Sequence, residues 1–375
     1  MARTRRSGSP VPPSVTPRLR LSGPQQLLAA LPYLLGVELR DSVVAVGLAR
    51  GPRGADEVGF RMRADLAPLI GGEQPPEELA SLAAQHCGGG VVLVVYADGV
   101  PSGAGAPCSE LADRLVRAFG DQGVEVRDAL AVQGGRWWSF LCRDADCCPP
   151  AGRPMPAAGD SPIPAELTVL GLSPGRPRAE LAAELAGPSG LRLVAARQAL
   201  DAAAQGLLER LAAGEQDSAG WRQESQALLV AARDRLIAGG TPPGLAERAR
   251  LLLALDDLLV RDAAMGWAPA GTGRRGRRAT PSGEASAEAL GGEPLWRALL
   301  EVAPDECAAA PATLLAWSAY LRGDGLTANL ALDRALAADP GYRLAGLLAA
   351  ACSRGVAPES LDGAVRRGAA AAASG

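Results

Sequence analysis

The sequence predicts an α/β domain with a mixed sheet, followed by an all-α region that is TPR-like near its end. Three observations carry this prediction. Apolar, β-branched runs alternate with helical patterns between Asp41 and Cys142, the signature of a layered sheet-and-helix unit. Beyond Arg178 the chain is a near-continuous series of Ala/Leu/Arg helical segments. The composition, 48% hydrophobic and 21% charged over 375 residues, is that of a globular chain long enough for two domains.

Residues 1–20 read as a disordered arm rich in Arg, Pro and Ser. A helix is expected from Pro24, with Ser22 as its cap and Gly36 as its stop. Asp41–Leu48 and Val58–Ala64 read as a hairpin about a Gly/Pro-rich turn. Pro76–Cys87 reads as a helix broken by Gly88-Gly89-Gly90, and Val91–Tyr96 as a strand buried on both faces. Ser109–Phe119 places Leu111, Leu115 and Phe119 on one helical face. Val124–Val132 and Arg136–Cys142 read as strands joined at Gly134-Gly135. This α/β unit is taken as residues 21–175, with a proline-rich loop over 143–165 and a strand-like stretch at Leu167–Leu170.

The helical region is expected over 176–271, from Arg178–Leu185, Leu191–Ala213, Ala219–Ile237 and Gly244–Met265. Residues 272–292 are low in complexity and read as a flexible linker. Four further helices, Pro294–Val302, Ala309–Leu321, Thr327–Ala338 and Arg343–Ser353, fill 293–358, and 359–375 is an alanine-rich tail. Ala316, Ala328, Ala335 and Pro340 fall where a tetratricopeptide repeat places its small residues and closing proline. Trp317 and Tyr320 do not fall at its aromatic positions, so an ordinary Ala-rich helical hairpin stands beside a repeat-type partner surface.

Composition excludes several chemistries. There is no lysine, and all 38 basic residues are arginine. A phosphate-binding P-loop, a kinase clamp and a Schiff base all need lysine. With only His86, a two-histidine metal motif is impossible. The absence of Lys, with one Asn and three Ile, matches a GC-rich genome better than selection for guanidinium geometry. The N-terminal basic residues have no apolar run behind them, and the longest such run, Gly90–Tyr96, is too short to span a bilayer. Seven cysteines, an odd number without a secretion signal, point to a reducing cytoplasm. A net charge of −3 leaves no electrostatic footprint for nucleic acid, and the paired arginines at 274–278 read as solubilising.

Gly171-Leu-Ser173-Pro174-Gly175 matches the nucleophile-elbow pattern, but Pro174 lacks the N–H that would serve the oxyanion, and no histidine follows. The outlier is Gly134-Gly-Arg-Trp-Trp-Ser-Phe-Leu-Cys142-Arg-Asp-Ala-Asp-Cys147-Cys148, with two of the six Trp and three of the seven Cys. Strand alternation puts Trp137 and Trp138 on opposite faces. Cys142, Cys147 and Cys148 are candidate metal ligands, zinc being the ion in view, with Cys108, Cys87 or His86 as fourth ligand; packed thiols or a redox pair are the alternatives. Adjacent cysteines are expected to diverge. Arg136, Trp137, Trp138 and Ser139, with Asp41, Tyr96 and Asp98 at strand ends, are the candidate ligand-binding residues.

The run Leu21-Ser-Gly-Pro-Gln with Leu31-Pro-Tyr-Leu-Leu-Gly36 and Asp41-Ser-Val-Val resembles the bacterial family of domain of unknown function 4192. So do Arg136-Trp-Trp-Ser with Cys142 and Cys147-Cys148-Pro149, and the stretch from Gly323-Asp-Gly to Tyr342-Arg-Leu-Ala345. The resemblance covers roughly 19–358 and implies a high-GC Gram-positive source; it lends no substrate, cofactor or catalytic residue. The expectation is a non-enzymatic binding or scaffold protein with a helical partner surface. A small-ligand-binding or enzymatic pocket near the Trp/Cys segment is the alternative.

Overall fold

The computed structural model describes residues 21, 23–50, 56–87, 89–101, 105–156, 160–266, 291–358 and 360–363. The N-terminal arm, most of the expected linker and residues 364–375 of the tail lie outside them, as does Ser22. The N-cap of α1 (Pro24–Leu35) is Gly23, and Gly36, at φ 67°, ends the helix in the left-handed conformation.

Next come β1 (Ser42–Arg50) and β2 (Asp56–Asp65), the expected hairpin, with antiparallel register from Ser42↔Asp65. Gly47 sits at an irregularity between Val46 and Leu48, where a Cβ would stand 2.7 Å from the Cys87 sulfur. A short helix not foreseen in the sequence, α2 (Leu66–Gly71), and then α3 (Pro76–Ala84) lead to β3 (Val91–Tyr96), buried throughout. The helix α4 (Ser109–Asp121) crosses to β4 (Val126–Gln133), which pairs in parallel with β3. β5 (Arg136–Ser139) returns antiparallel. It ends at Ser139 rather than Cys142, and Phe140 adds one backbone bond to Ala129 O. Inside the segment read as loop, β6 (Arg153–Pro154) pairs with Arg136 and Trp137. The result is a mixed sheet in the order β2-β1-β3-β4-β5-β6.

Alternation along the strands divides the core by face. Val43, Ala45, Leu93 and Val95 pack under the second, third and fourth helices with Leu79, Leu115 and Phe119. Val44, Val46, Val94, Tyr96, Leu130, Val132 and Trp137 pack under α1 with Leu27, Leu28 and Leu31. The strand-like stretch Leu167–Leu170 is instead the end of α5 (Ile163–Val169), whose Ile163 and Leu167 bury against α1; i, i+4 spacing outweighs its β-branched residues. No strand therefore leads into Ser173, which removes the context a nucleophile elbow needs.

The helical part comprises α6 (Arg178–Ala183), α7 (Gly190–Ala212), α8 (Ser218–Ile237), α9 (Leu245–Ala254), α10 (Leu258–Met265), α11 (Glu293–Leu300), α12 (Asp305–Arg322), α13 (Gly325–Ala338) and α14 (Arg343–Ser353). The expected single helix Gly244–Met265 is two, because the Asp257 carboxylate accepts from Leu259 N and Val260 N and so caps a new helix. One core joins most of these helices around Trp296, Leu299, Leu315 and Trp317. Buried Glu293 is paired with Arg322 and, at 3.0 Å, with Arg297. Ala316, Ala328 and Ala335 are fully buried, so α12 and α13 approach closely as a hairpin turned at Gly323, φ 83°. Glu38 N donates to Arg176 O at 2.9 Å, and Leu181 and Leu326 reach the α1-side core, tying the helices to the sheet. Among the described residues, no helix is long and apolar enough to cross a membrane.

Candidate functional site

The site forms where β5 leaves the sheet. Trp137 and Ser139 point to the α1 side; Arg136 and Trp138 point to the other. Ser139 closes the turn that follows: its Oγ donates to Asp128 Oδ1 at 2.7 Å and accepts from Leu141 N and Cys142 N at 3.3 and 3.1 Å. With these bonds made, the hydroxyl orients the turn.

Asp144 builds the next turn. Its Oδ1 accepts from Asp146 N and Cys147 N at 2.9 and 3.3 Å, and its backbone O accepts from Cys148 N at 2.7 Å. This tight curl carries both later cysteines back over Cys142. All three sulfurs lie within 4.8 Å of one another, so the adjacent pair converges where divergence was expected. The neighbouring residues Arg136 and Trp138 hold the loop from its far side. Arg136 donates to Ala151 O and Gly152 O at 2.6 and 2.8 Å, and Trp138 Nε1 donates to Pro150 O at 3.0 Å. Gly152, at φ 72°, lies against the Trp138 ring, where a Cβ would be 2.4 Å from Cε2.

A cleft of about 460 Å³ opens beside the sulfurs, walled by Gly23–Gln26 of the α1 start, Asp128, Trp137, Ser139, the three cysteines and Arg153. That volume is in the range of small-molecule sites. Arg153 stacks over Trp137, its Cζ 6.0 Å from the ring centroid. Arg153 and Asp128 were not singled out in the sequence. Arg153 sits on a two-residue strand inside a proline-rich segment, and the only available signal was the edge-strand tolerance of Pro154.

Electrostatically the thiols are unequal. The Asp144 backbone N–H, then the Cys148 thiol, hydrogen-bond the Cys142 sulfur and hold its pKa below the ordinary value. Burial, and then the neighbouring Cys142 and Cys147 sulfurs, push Cys148 up to about 12. The cluster thus holds one thiolate-prone sulfur beside one that keeps its proton. All seven cysteines are free thiols.

The suggested fourth ligands are elsewhere. Cys87 and Cys108 belong to the opposite face of the sheet, and His86 stacks on Phe60 with ring centroids 5.0 Å apart. Asp41 and Asp98 tie loops: Gly99 N donates to Asp41 Oδ1 at 2.6 Å, and Gly134 N to Asp98 Oδ1 at 3.3 Å. Tyr96 is buried under α1 in the same lateral row as Trp137, through Val132, and does not line the cleft. A second groove, of about 420 Å³, lies between α6 and α11. It is lined by Glu184, Arg192, Arg297 and Glu301 and gathers no cysteine or histidine.

No curated protein and no solved structure matches the chain. A family model does match it, over residues 24–359, a span that takes in the α/β sheet, the cysteine turn and the helical region alike, and by that match the chain belongs to the family described as Domain of unknown function (DUF4192).

Proposed function

We propose that this is a binding protein whose α/β domain holds one soft metal ion, zinc, on Cys142, Cys147 and Cys148. The convergence of the three sulfurs within 4.8 Å carries the reading. Zn–S bonds of about 2.3 Å in tetrahedral geometry set sulfurs about 3.8 Å apart, so the cluster needs to draw in by at most about 1 Å. The exposed Cys147 turn can supply that movement. Three protein ligands leave a fourth position for a ligand from the cleft.

The test is metal analysis of protein purified under reductant without a metal-affinity tag, beside the Cys142→Ser/Cys147→Ser variant. About one zinc per wild-type chain, lost in the variant, supports the reading. Copper in its place, which thiolates also favour, would change the ion; no metal in zinc-supplemented protein would overturn the site.

A second reading, a partner surface on the helical region, is favoured by α7. Leu191 and Leu208 on that helix are 88% and 65% exposed, and Val194 and Leu211 are exposed as well. A Leu191→Asp/Leu208→Asp variant that keeps its helicity yet loses a complex formed by the wild type would support it. A complex unchanged by the substitutions would remove it.

A further inference from the structure

We infer that the cleft beside the cysteines contains a separate subsite for a small oxyanion, a carboxylate or a phosphate, seated between the first turn of α1, Arg153 and Trp137. Three independent features meet there. The 12-residue helix α1 starts at the cleft with no side-chain cap on Gly23 and no acidic residue in its own first turn to offset its positive end. Arg153 is half-buried against the Trp137 ring and, among the described residues, forms no ion pair; such a guanidinium is matched to a two-oxygen acceptor. Trp137, 3% exposed and lining the same cleft, carries an indole N–H with no acceptor among the described residues, an arrangement that folded proteins rarely leave unfilled.

All three features supply donors or positive potential, and none supplies an acceptor. Asp128 is the one carboxylate among the lining residues, and its Oδ1 is already taken by Ser139 Oγ and Ala129 N. Those three features favour an anion of a few atoms that accepts from several sides, against the opposing negative charge of Asp128 in the same cleft. The subsite shares the cleft with the proposed zinc but does not depend on it.

The experiment follows the indole N–H signals of the full-length chain by NMR, in zinc-loaded and in metal-stripped, reduced protein. A Trp137→Phe variant assigns the relevant signal. Sodium phosphate and sodium acetate are titrated separately, against sodium chloride at equal ionic strength. The expected result is a saturable shift of the Trp137 signal with phosphate or acetate, in both metal states, and an affinity at least tenfold weaker in Arg153→Gln. A response to only one of the two anions assigns the ligand class. A shift that chloride reproduces, or none at all with either anion, overturns the subsite. If Arg153→Gln does not fold, the wild-type comparison of oxyanion against chloride decides alone. A shift seen in stripped protein that never takes up zinc keeps the subsite and removes the metal.

Discussion

The two faces of β5 are built from neighbouring residues and put to opposite uses. Arg136 and Trp138 point away from α1, and their donors end on the backbone carbonyls of Pro150, Ala151 and Gly152. Trp137 and Ser139 point toward α1. There Ser139 is fully engaged in shaping the cysteine turn, while Trp137, a residue of the cleft wall, buries its N–H without an acceptor among the described residues. One face is a clamp with its hydrogen bonds made, and the other retains unmet capacity. Buried polar groups are nearly always satisfied, so the unmet capacity beside three convergent sulfurs is what the proposed site rests on, and Arg136 and Trp138 are proposed to support it from the other face.

The sharpest way to break this division is at Gly152. An alanine there would adopt φ 72°, which costs a non-glycine residue about 1 kcal/mol or more. Its Cβ would also meet the Trp138 ring. Gly152→Ala is expected to destabilise the loop by about 2–4 kcal/mol and to lower zinc occupancy, although no ligand is touched. Urea unfolding and metal analysis of the same preparation check it. Full occupancy with unchanged stability would show that the clamp face does not position the sulfurs.

Zinc affinity should next depend on pH in a direction set by the thiols. A group whose pKa is raised keeps its proton until metal displaces it, so binding at Cys148 releases a proton, and affinity rises with pH. At least one proton per ion gives at least about tenfold per pH unit between pH 6 and 8. Cys142, held low by the Asp144 N–H, opposes a steeper slope because it is more readily the thiolate already. Competition with a chromophoric chelator measures the slope. A pH-independent affinity would exclude a protonated Cys148 from the site.

Removing Arg136 tests the clamp more gently. The side chain is exposed, so losing its two bonds to Ala151 O and Gly152 O in Arg136→Gln should cost about 1 kcal/mol. Zinc affinity should fall several-fold, with anion binding at Arg153 unaffected. Loss of anion binding instead would mean that Arg136, not Arg153, is the guanidinium that matters.

How much of this was legible follows from range. The sheet could be read because short, glycine-flanked β-branched runs such as Val91-Val-Leu-Val-Val-Tyr96 favour a buried strand over a helix. The opposite orientation of Trp137 and Trp138 follows from strand alternation alone. The sulfur cluster was legible only as composition. Its convergence depends on an Asp144 turn whose hydrogen bonds reverse the divergence of adjacent side chains. The helix start at Asp257 was masked by the continuous leucines on both sides, although an aspartate pair is a cap signal. Arg153 was hidden because its pairing with Trp137 is settled between strands, not along the chain.

The smallest expected effect contrasts the two tryptophans directly. Trp138→Phe removes one indole N–H and leaves Pro150 O without its donor; at a half-buried, neutral bond this costs about 1 kcal/mol or less. Trp137→Phe removes an N–H that has no acceptor among the described residues, so its stability cost comes from lost packing volume and a weaker stack with Arg153. Adding saturating phosphate should therefore raise the thermal midpoint of the wild type and of Trp138→Phe alike, by linkage of binding to folding. The midpoint of Trp137→Phe should rise less, because the bound anion has lost a donor. Equal rises in all three would place the anion away from β5, and the two faces would then differ only in packing.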